Sequence, residues 1–225
     1  MESNILYRPS YSLLQLLFQP GETIRAEAGA MVSMTPNMKI ETGMGGGGLL
    51  GGLRRAVLGG ESFFMNTFTC EGGSGEMTLA PSLPGDMLHV PMAGGTMYVQ
   101  SGSYICSSLG VNVDTSWGGA KTFFSGEGLF LLACAGQGDL FVSSYGAIHA
   151  VELQPGQTYI VDTGHMVAFE STVQYAVQKV GSWKSTLLSG EGLVCNLTGP
   201  GRIYLQSRSM DAFLKFLIPK LPKSS

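Results

Sequence analysis

The chain has 225 residues, enough to bury a substantial core in one large domain or two small ones. Its 33 glycines are about twice the usual share, and its 13% of charged residues is about half of it. A formal net charge of −3 supplies no general attraction to nucleic acid or anionic lipid, so charge argues against nucleic-acid partners.

Glycine without a collagen period, mixed with 44% apolar residues, points to tight turns between short strands. The first apolar run, Tyr11–Phe18, is short, broken by Gln15 and flanked by one basic residue, Arg8. It therefore reads as a strand and not as a secretory signal. No run reaches the roughly 18 apolar residues of a spanning helix, so the expectation is a soluble protein, at most attached to a membrane surface.

The next block, FQPGETIRAEAGAMVSM (18–34), lies without a gap over LQPGQTYIVDTGHMVAF (153–169), at an offset of 135. A weaker third copy is MAGGTMYVQSGSYICSS (92–108), with Gly95 and Gly102 in the glycine places. A second block also recurs: GGESFFMNTFTCEGGSGEMTL (59–79), SGEGLFLLACAGQGDLFV (125–142) and SGEGLVCNLTGPGRIYL (189–205). Each carries Gly-Glu, an apolar run, a Gly-x-Gly turn and a second apolar run. The turns Gly73/Gly75, Gly136/Gly138 and Gly199/Gly201 step by 63. Such blocks predict β-hairpins, with glycine supplying the positive φ that tight turns need. Pro20-Gly21, Pro84-Gly85 and Pro155-Gly156 add turn signals between strands. The expected architecture is one all-β domain over residues 1–219, built from three repeats at about 8–80, 81–143 and 144–207 with pseudo-threefold character.

Between the two blocks of the first repeat lies GMGGGGLLGGLRRAVLGGESFF (43–64). It lacks the Gly-Lys-Ser/Thr ending of a phosphate-binding loop, and no Rossmann pattern surrounds it. Ile40 to Gly60 spans 20 positions where Val113–Gly126 and Val177–Gly190 span 13, so the first repeat carries about seven extra residues. Gly45, Gly46, Gly47, Gly48, Leu49, Leu50, Leu53, Arg54 and Arg55 form a candidate interaction segment. It would fold over a subunit interface or dip into a membrane surface by apolar contact plus two basic residues.

A basic residue precedes a Gly-Glu in every repeat: Arg55 before Glu61, Lys121 before Glu127, Lys184 before Glu191. These are three equivalent surface ion pairs, or a rim of charge that recognises a partner or caps a pocket. Trp117 and Trp183 lie close to Lys121 and Lys184, with core or subunit packing as the default role. RSMDAFLKFLIP (208–219) predicts a helix over 209–218, capped by Ser209, with Phe213, Leu214, Leu217 and Ile218 as its apolar stripe and Pro219 at its end. Residues 220–225 read as a loose tail.

Chemistry-bearing clusters are scarce. His89, His149 and His165 show no His-x-His spacing, which leaves structural roles for each and no metal. His89 and His149 fall at roughly equivalent strand places, and His165 at a turn. Cys70, Cys106, Cys134 and Cys195 form no C-x-x-C pair and sit in apolar runs, as reduced buried thiols in a reducing compartment do. No nucleophile elbow or paired-carboxylate motif stands out, and no catalytic residue or cofactor is assigned.

GGLLGGLRRAVLGGESFF, SGEGLFLLACAGQGDLFV, LQPGQTYIVDTGHMVAF and LTGPGRIYLQSRS together resemble the "altered inheritance of mitochondria" family, a TRAP-like group common in bacteria as proteins of unknown function. The resemblance runs from about residue 5 to 218. It implies a β-sandwich or double-stranded β-helix-like fold with duplicated units. TRAP itself forms rings that bind tryptophan and RNA, but a shared fold does not transfer that function. Mitochondrial members are linked to inner-membrane organisation. This chain shows no transit peptide, so the expectation is a cytoplasmic bacterial relative, peripheral to a membrane at most.

Two functional expectations follow. The first is a non-catalytic scaffold that forms homo-oligomers and works beside a membrane surface or a membrane-protein partner. The competing one is a small-ligand-binding β module, or an unrecognised enzyme, with a pocket near one of the histidines.

Overall fold

The computed structural model of the chain describes residues 1–43, 64–114, 130–179 and 193–222. After a leading strand β1 (Glu2–Leu6), the first third holds β2 (Leu13–Phe18), β3 (Thr23–Glu27), β4 (Met31–Met34), β5 (Met38–Gly43), β6 (Met65–Cys70) and β7 (Gly75–Leu79). The second holds β8 (Met87–Gln100), β9 (Tyr104–Ser108), β10 (Val111–Asp114) and β11 (Leu131–Ser143). The last holds β12 (Ile148–Leu153), β13 (Thr158–Asp162), β14 (Met166–Glu170), β15 (Gln174–Lys179), β16 (Leu193–Thr198) and β17 (Gly201–Gln206). One helix follows, α1 (Met210–Leu217). The protein is all-β with a short C-terminal helix.

One pairing rule describes each third once the long strands β8 and β11 are each counted as two consecutive segments. Its first and third segments flank the sixth, and its second and fourth flank the fifth. Thus β2 and β4 pair with β7, while β3 and β5 pair with β6. In the last third β12 and β14 pair with β17, and β13 and β15 with β16. In the middle third β9 and residues 87–93 of β8 flank residues 137–143 of β11, while β10 and residues 96–100 of β8 flank residues 131–135.

The recurring second block is therefore not a hairpin. Its two apolar runs pair with different neighbours, and in the middle third they form one 13-residue strand, β11. The Gly-x-Gly step passes the chain from one pairing set to the next, and the glycines serve this bend. Gly136 and Gly138 both hold positive φ, at 128° and 131°, and Gly136 lies against the backbone of Gly110. A Cβ on Gly136 would stand 2.2 Å from the Gly110 carbonyl oxygen. Gly136→Ala should lower stability by about 2 kcal/mol, read as a lowered denaturant midpoint with unchanged m-value.

Consecutive thirds join edge to edge. β3 pairs with β9, setting Ala26 opposite Cys106 and Arg25 opposite Ser107. β8 pairs with β14, setting Val99 opposite Ala168 and Tyr98 opposite Phe169. In both joints the second segment of one third meets the third segment of the next, in one register. The core follows these joints: Ile105 and Cys106 pack with Leu14, Phe18 and Phe68 of the first third, and Val167 and Ala168 pack with Val99 and Leu132 of the second. A third cluster collects Leu153, Val161, Phe169, Cys195 and Leu197.

The entries to the three thirds are tied together near Asp86. Ser12 N–H donates to the Gly85 carbonyl at 3.0 Å, and Asp86 N–H donates to that of Gly146 at 2.9 Å. The Asp86 carboxylate accepts Arg8 Nε and Nη2 at 2.8 and 2.9 Å, Ser12 Oγ at 3.2 Å and the Met87 N–H at 2.8 Å. Ala147 N–H instead donates to Ser207 Oγ, at 2.9 Å, on the segment leading to α1.

Candidate functional site

The candidate interaction segment Gly45–Arg55 lies outside the described residues, as do all six members of the charge rim and both tryptophans. Among the described residues the three histidines sit on separate elements, His89 on β8, His149 on β12 and His165 in the turn before β14. His89 on β8 stacks on Phe141, with ring centroids 4.7 Å apart, and its Nε2 lies 2.7 Å from Asp139 Oδ1. The other carboxylate oxygen accepts Ser108 Oγ at 3.3 Å, and Ser108 Oγ in turn accepts the Asp139 N–H at 2.9 Å. The carboxylate stands between imidazole and hydroxyl, so this group fixes side chains and does not place a base on a nucleophile.

His149 sits on β12 opposite Leu205, the place that Leu88 takes opposite Val142. His89 is thus one residue off the position equivalent to His149, and it faces the other side of its strand. His165 closes a short 3-10 turn, Thr163–His165, and its Nδ1–H donates to the Gln206 carbonyl at 2.7 Å. Beside it is an open cavity of about 450 Å³ lined by Tyr145, Arg208, Phe213 and Phe216. Among the described residues no group of three or more His, Cys, Asp or Glu is placed to hold a metal ion.

All four cysteines are free and buried. Burial pushes the thiols of Cys106, Cys134 and Cys195 up, those of Cys134 and Cys195 to about 12. They remain protonated at neutral pH, and a protonated thiol is a poor nucleophile.

The apolar groups that stay open lie on strand edges and on the helix. Each third carries the same bulge at its third segment: pairing skips Val32 between Met31 and Ser33, Ile105 between Tyr104 and Cys106, and Val167 between Met166 and Ala168. Ile105 is 1% exposed and Val167 is fully buried, whereas Val32 is 57% exposed. All four residues of β4 are exposed, and among the described residues β4 pairs on one side only, with β7. At the other end of the topology β13 pairs only with β16 among those residues, and Ile160 is 64% exposed.

Helix α1 is capped by Ser209, whose Oγ accepts the Ala212 N–H at 3.2 Å. None of its residues is buried, and Phe213, Leu214 and Phe216 face solvent, although Phe213 meets Tyr145 edge-on at 6.2 Å. The apolar stripe that predicts a packing face is thus left largely uncovered. No helix among the described residues is long and apolar enough to cross a membrane.

Comparison with known proteins returns relatives over the whole of this architecture. The model of the family described as "Mitochondrial biogenesis AIM24" matches residues 3–208. An uncharacterized protein of Streptococcus pyogenes serotype M6, M6_Spy0233, is 28% identical over 222 residues, covering 96% of this chain and 89% of the relative. The crystal structure of protein SPYM3_0169 from Streptococcus pyogenes superposes with a TM-score of 0.80 at 26% identity, over 98% of this chain and 99% of that one.

Proposed function

We propose, from the premise that this chain belongs to the mitochondrial biogenesis AIM24 family, that it is a non-catalytic scaffold that associates with copies of itself. One observation carries the reading: β4 leaves an apolar strand, Met-Val-Ser-Met, exposed along its length with an unpaired edge among the described residues. Such an edge is a template for pairing, and protein surfaces ordinarily blunt it with charge, proline or a covering segment. β4 has no charged residue and no proline.

The uncovered face of α1 supports work beside a membrane surface. Phe213, Leu214, Phe216 and Ile218 are exposed, with Lys215 and Lys220 among them, the composition of a helix that lies in a lipid interface. The free, buried thiols fit a bacterial cytoplasm, where cysteines stay reduced. Sedimentation tests the reading directly. The expected result is a concentration-dependent rise in sedimentation coefficient and co-pelleting with liposomes. A strict monomer that also leaves liposomes alone would overturn it.

A further inference from the structure

Among the described residues two strand edges, β4 and β13, each expose one half of a joint that the chain forms twice inside itself. A joint needs the second segment of one third and the third segment of the next, as in β3 with β9 and β8 with β14. Among the described residues no strand pairs with β4, the third segment of the first third, on the side where β9 and β14 meet a neighbouring third. Likewise none pairs with β13, the second segment of the last third, on the side where β3 and β8 do. Among the described residues the two lie in separate sheets, with no pairing between them.

We infer that the open edge of β13 pairs antiparallel with the open edge of β4 in a second copy of this chain, so that copies join head to tail. This deepens the self-association proposed above and rests on it. The register follows from the internal joints. The second segments end at Glu27, Gln100 and Asp162, each four positions before the third segments begin at Met31, Tyr104 and Met166. Ala26 and Val99 therefore correspond to Val161, and Cys106 and Ala168 correspond to Ser33. Carried across, the new joint sets Val161 opposite Ser33, Ile160 opposite Met34 and Tyr159 opposite Thr35.

Burial supports this pairing at both edges. Met31 and Val32 are exposed, while their counterparts Tyr104, Ile105, Met166 and Val167 are buried. Tyr159 is exposed, while its counterparts Ile24 and Met97 are buried. Ile105 and Val167 reach across the internal joints into the core of the preceding third. By the same geometry Val32 would enter the core of the last third of a neighbour, near Val161 and Leu197. The edges are compatible in chemistry as well: Tyr159, Ile160 and Val161 face Thr35, Met34 and Ser33, and none of the six is charged. A contact between two different faces repeats until it closes into a ring or extends as a filament.

Disulfide trapping tests the joint. One chain carries Ser33→Cys and another Val161→Cys; a second set carries Met34→Cys and Ile160→Cys. Opposed residues alternate between wide and close pairs, so one of the two sets has the closer spacing that a disulfide needs. The native cysteines are buried and contribute little background. Mixing and oxidising either set should give a crosslinked dimer on a non-reducing gel that neither chain forms alone, and Ile160→Lys should weaken association about tenfold or more. Unmodified protein that sediments as an oligomer while neither set crosslinks would overturn this joint and leave self-association standing through another surface. A chain carrying both cysteines that crosslinks only within itself would also overturn it, in favour of closure by a single copy. A protein that sediments as a strict monomer would overturn the joint together with the self-association beneath it.

Discussion

Val167→Asp should leave no cooperative unfolding transition, whereas Val32→Asp should yield a folded chain whose Tm lies within about 2 °C of the unmodified protein at low concentration. The two valines occupy the same bulge in the last and first thirds, and each follows a methionine. Val167 is fully buried and packs with Val99, Leu132 and Val142 of the middle third. A carboxylate there has no partner for its charge, and the penalty of several kcal/mol is comparable to the whole stability of a domain. Val167→Ala offers a measurable version, with a loss of about 2 kcal/mol from the vacated apolar contact. At Val32 the side chain already faces water, so aspartate changes little in the isolated chain. Circular dichroism melts of the three variants check this. Unfolding of dilute Val32→Asp would mean that Val32 is covered within a single chain.

The same pair shows how far the sequence could be read. Met31-Val32 and Met166-Val167 align within a block that repeats at a constant offset, and that repetition correctly indicates strands with glycine turns. Nothing in the two dipeptides separates a buried valine from an open one. Exposure belongs to the neighbour, and among the described residues β4 has no strand on the side where β9 meets β3 and β14 meets β8. The hairpin expectation failed for a related reason. Flanking runs of strand length around Gly-x-Gly look alike whether they pair with each other or with separate partners, since partner choice is a long-range property. The helix was legible because its signals are local: Ser209 caps it, Asp211 lies in its first turn, and a 3-10 turn containing Pro219 follows it. The glycine-leucine stretch and the charge rim drew notice by composition and spacing, whereas the strand edges carry ordinary apolar residues that composition does not mark.

Arg8→Ala should cost about 3 kcal/mol at neutral pH, more than Asp86→Asn, although both remove the same ion pair. The asymmetry comes from burial: the Asp86 side chain is 7% exposed and that of Arg8 is half exposed. Without the guanidinium, a buried carboxylate keeps only the Ser12 hydroxyl and the Met87 N–H. Without the carboxylate, the guanidinium turns to water. Desolvation alone would raise the Asp86 pKa, but the bonds from Arg8 and the Met87 N–H outweigh it and hold the carboxyl below its ordinary value. A depressed folded pKa stabilises the fold above the unfolded pKa, near 4, and that contribution is lost as pH falls through the folded value. The gap between the unmodified protein and Asp86→Asn should therefore be constant from about pH 7 to 5 and narrow below about pH 4. In Arg8→Ala the bonds that lower the carboxyl most are gone while desolvation stays, so the carboxyl rises from its depressed value. Its deficit is full at neutral pH and should shrink on acidification as Asp86 takes up a proton. Denaturant titrations of both variants across this range decide the matter. A pH-independent deficit in Arg8→Ala would show that Arg8 acts through packing of its stem and not through the Asp86 charge.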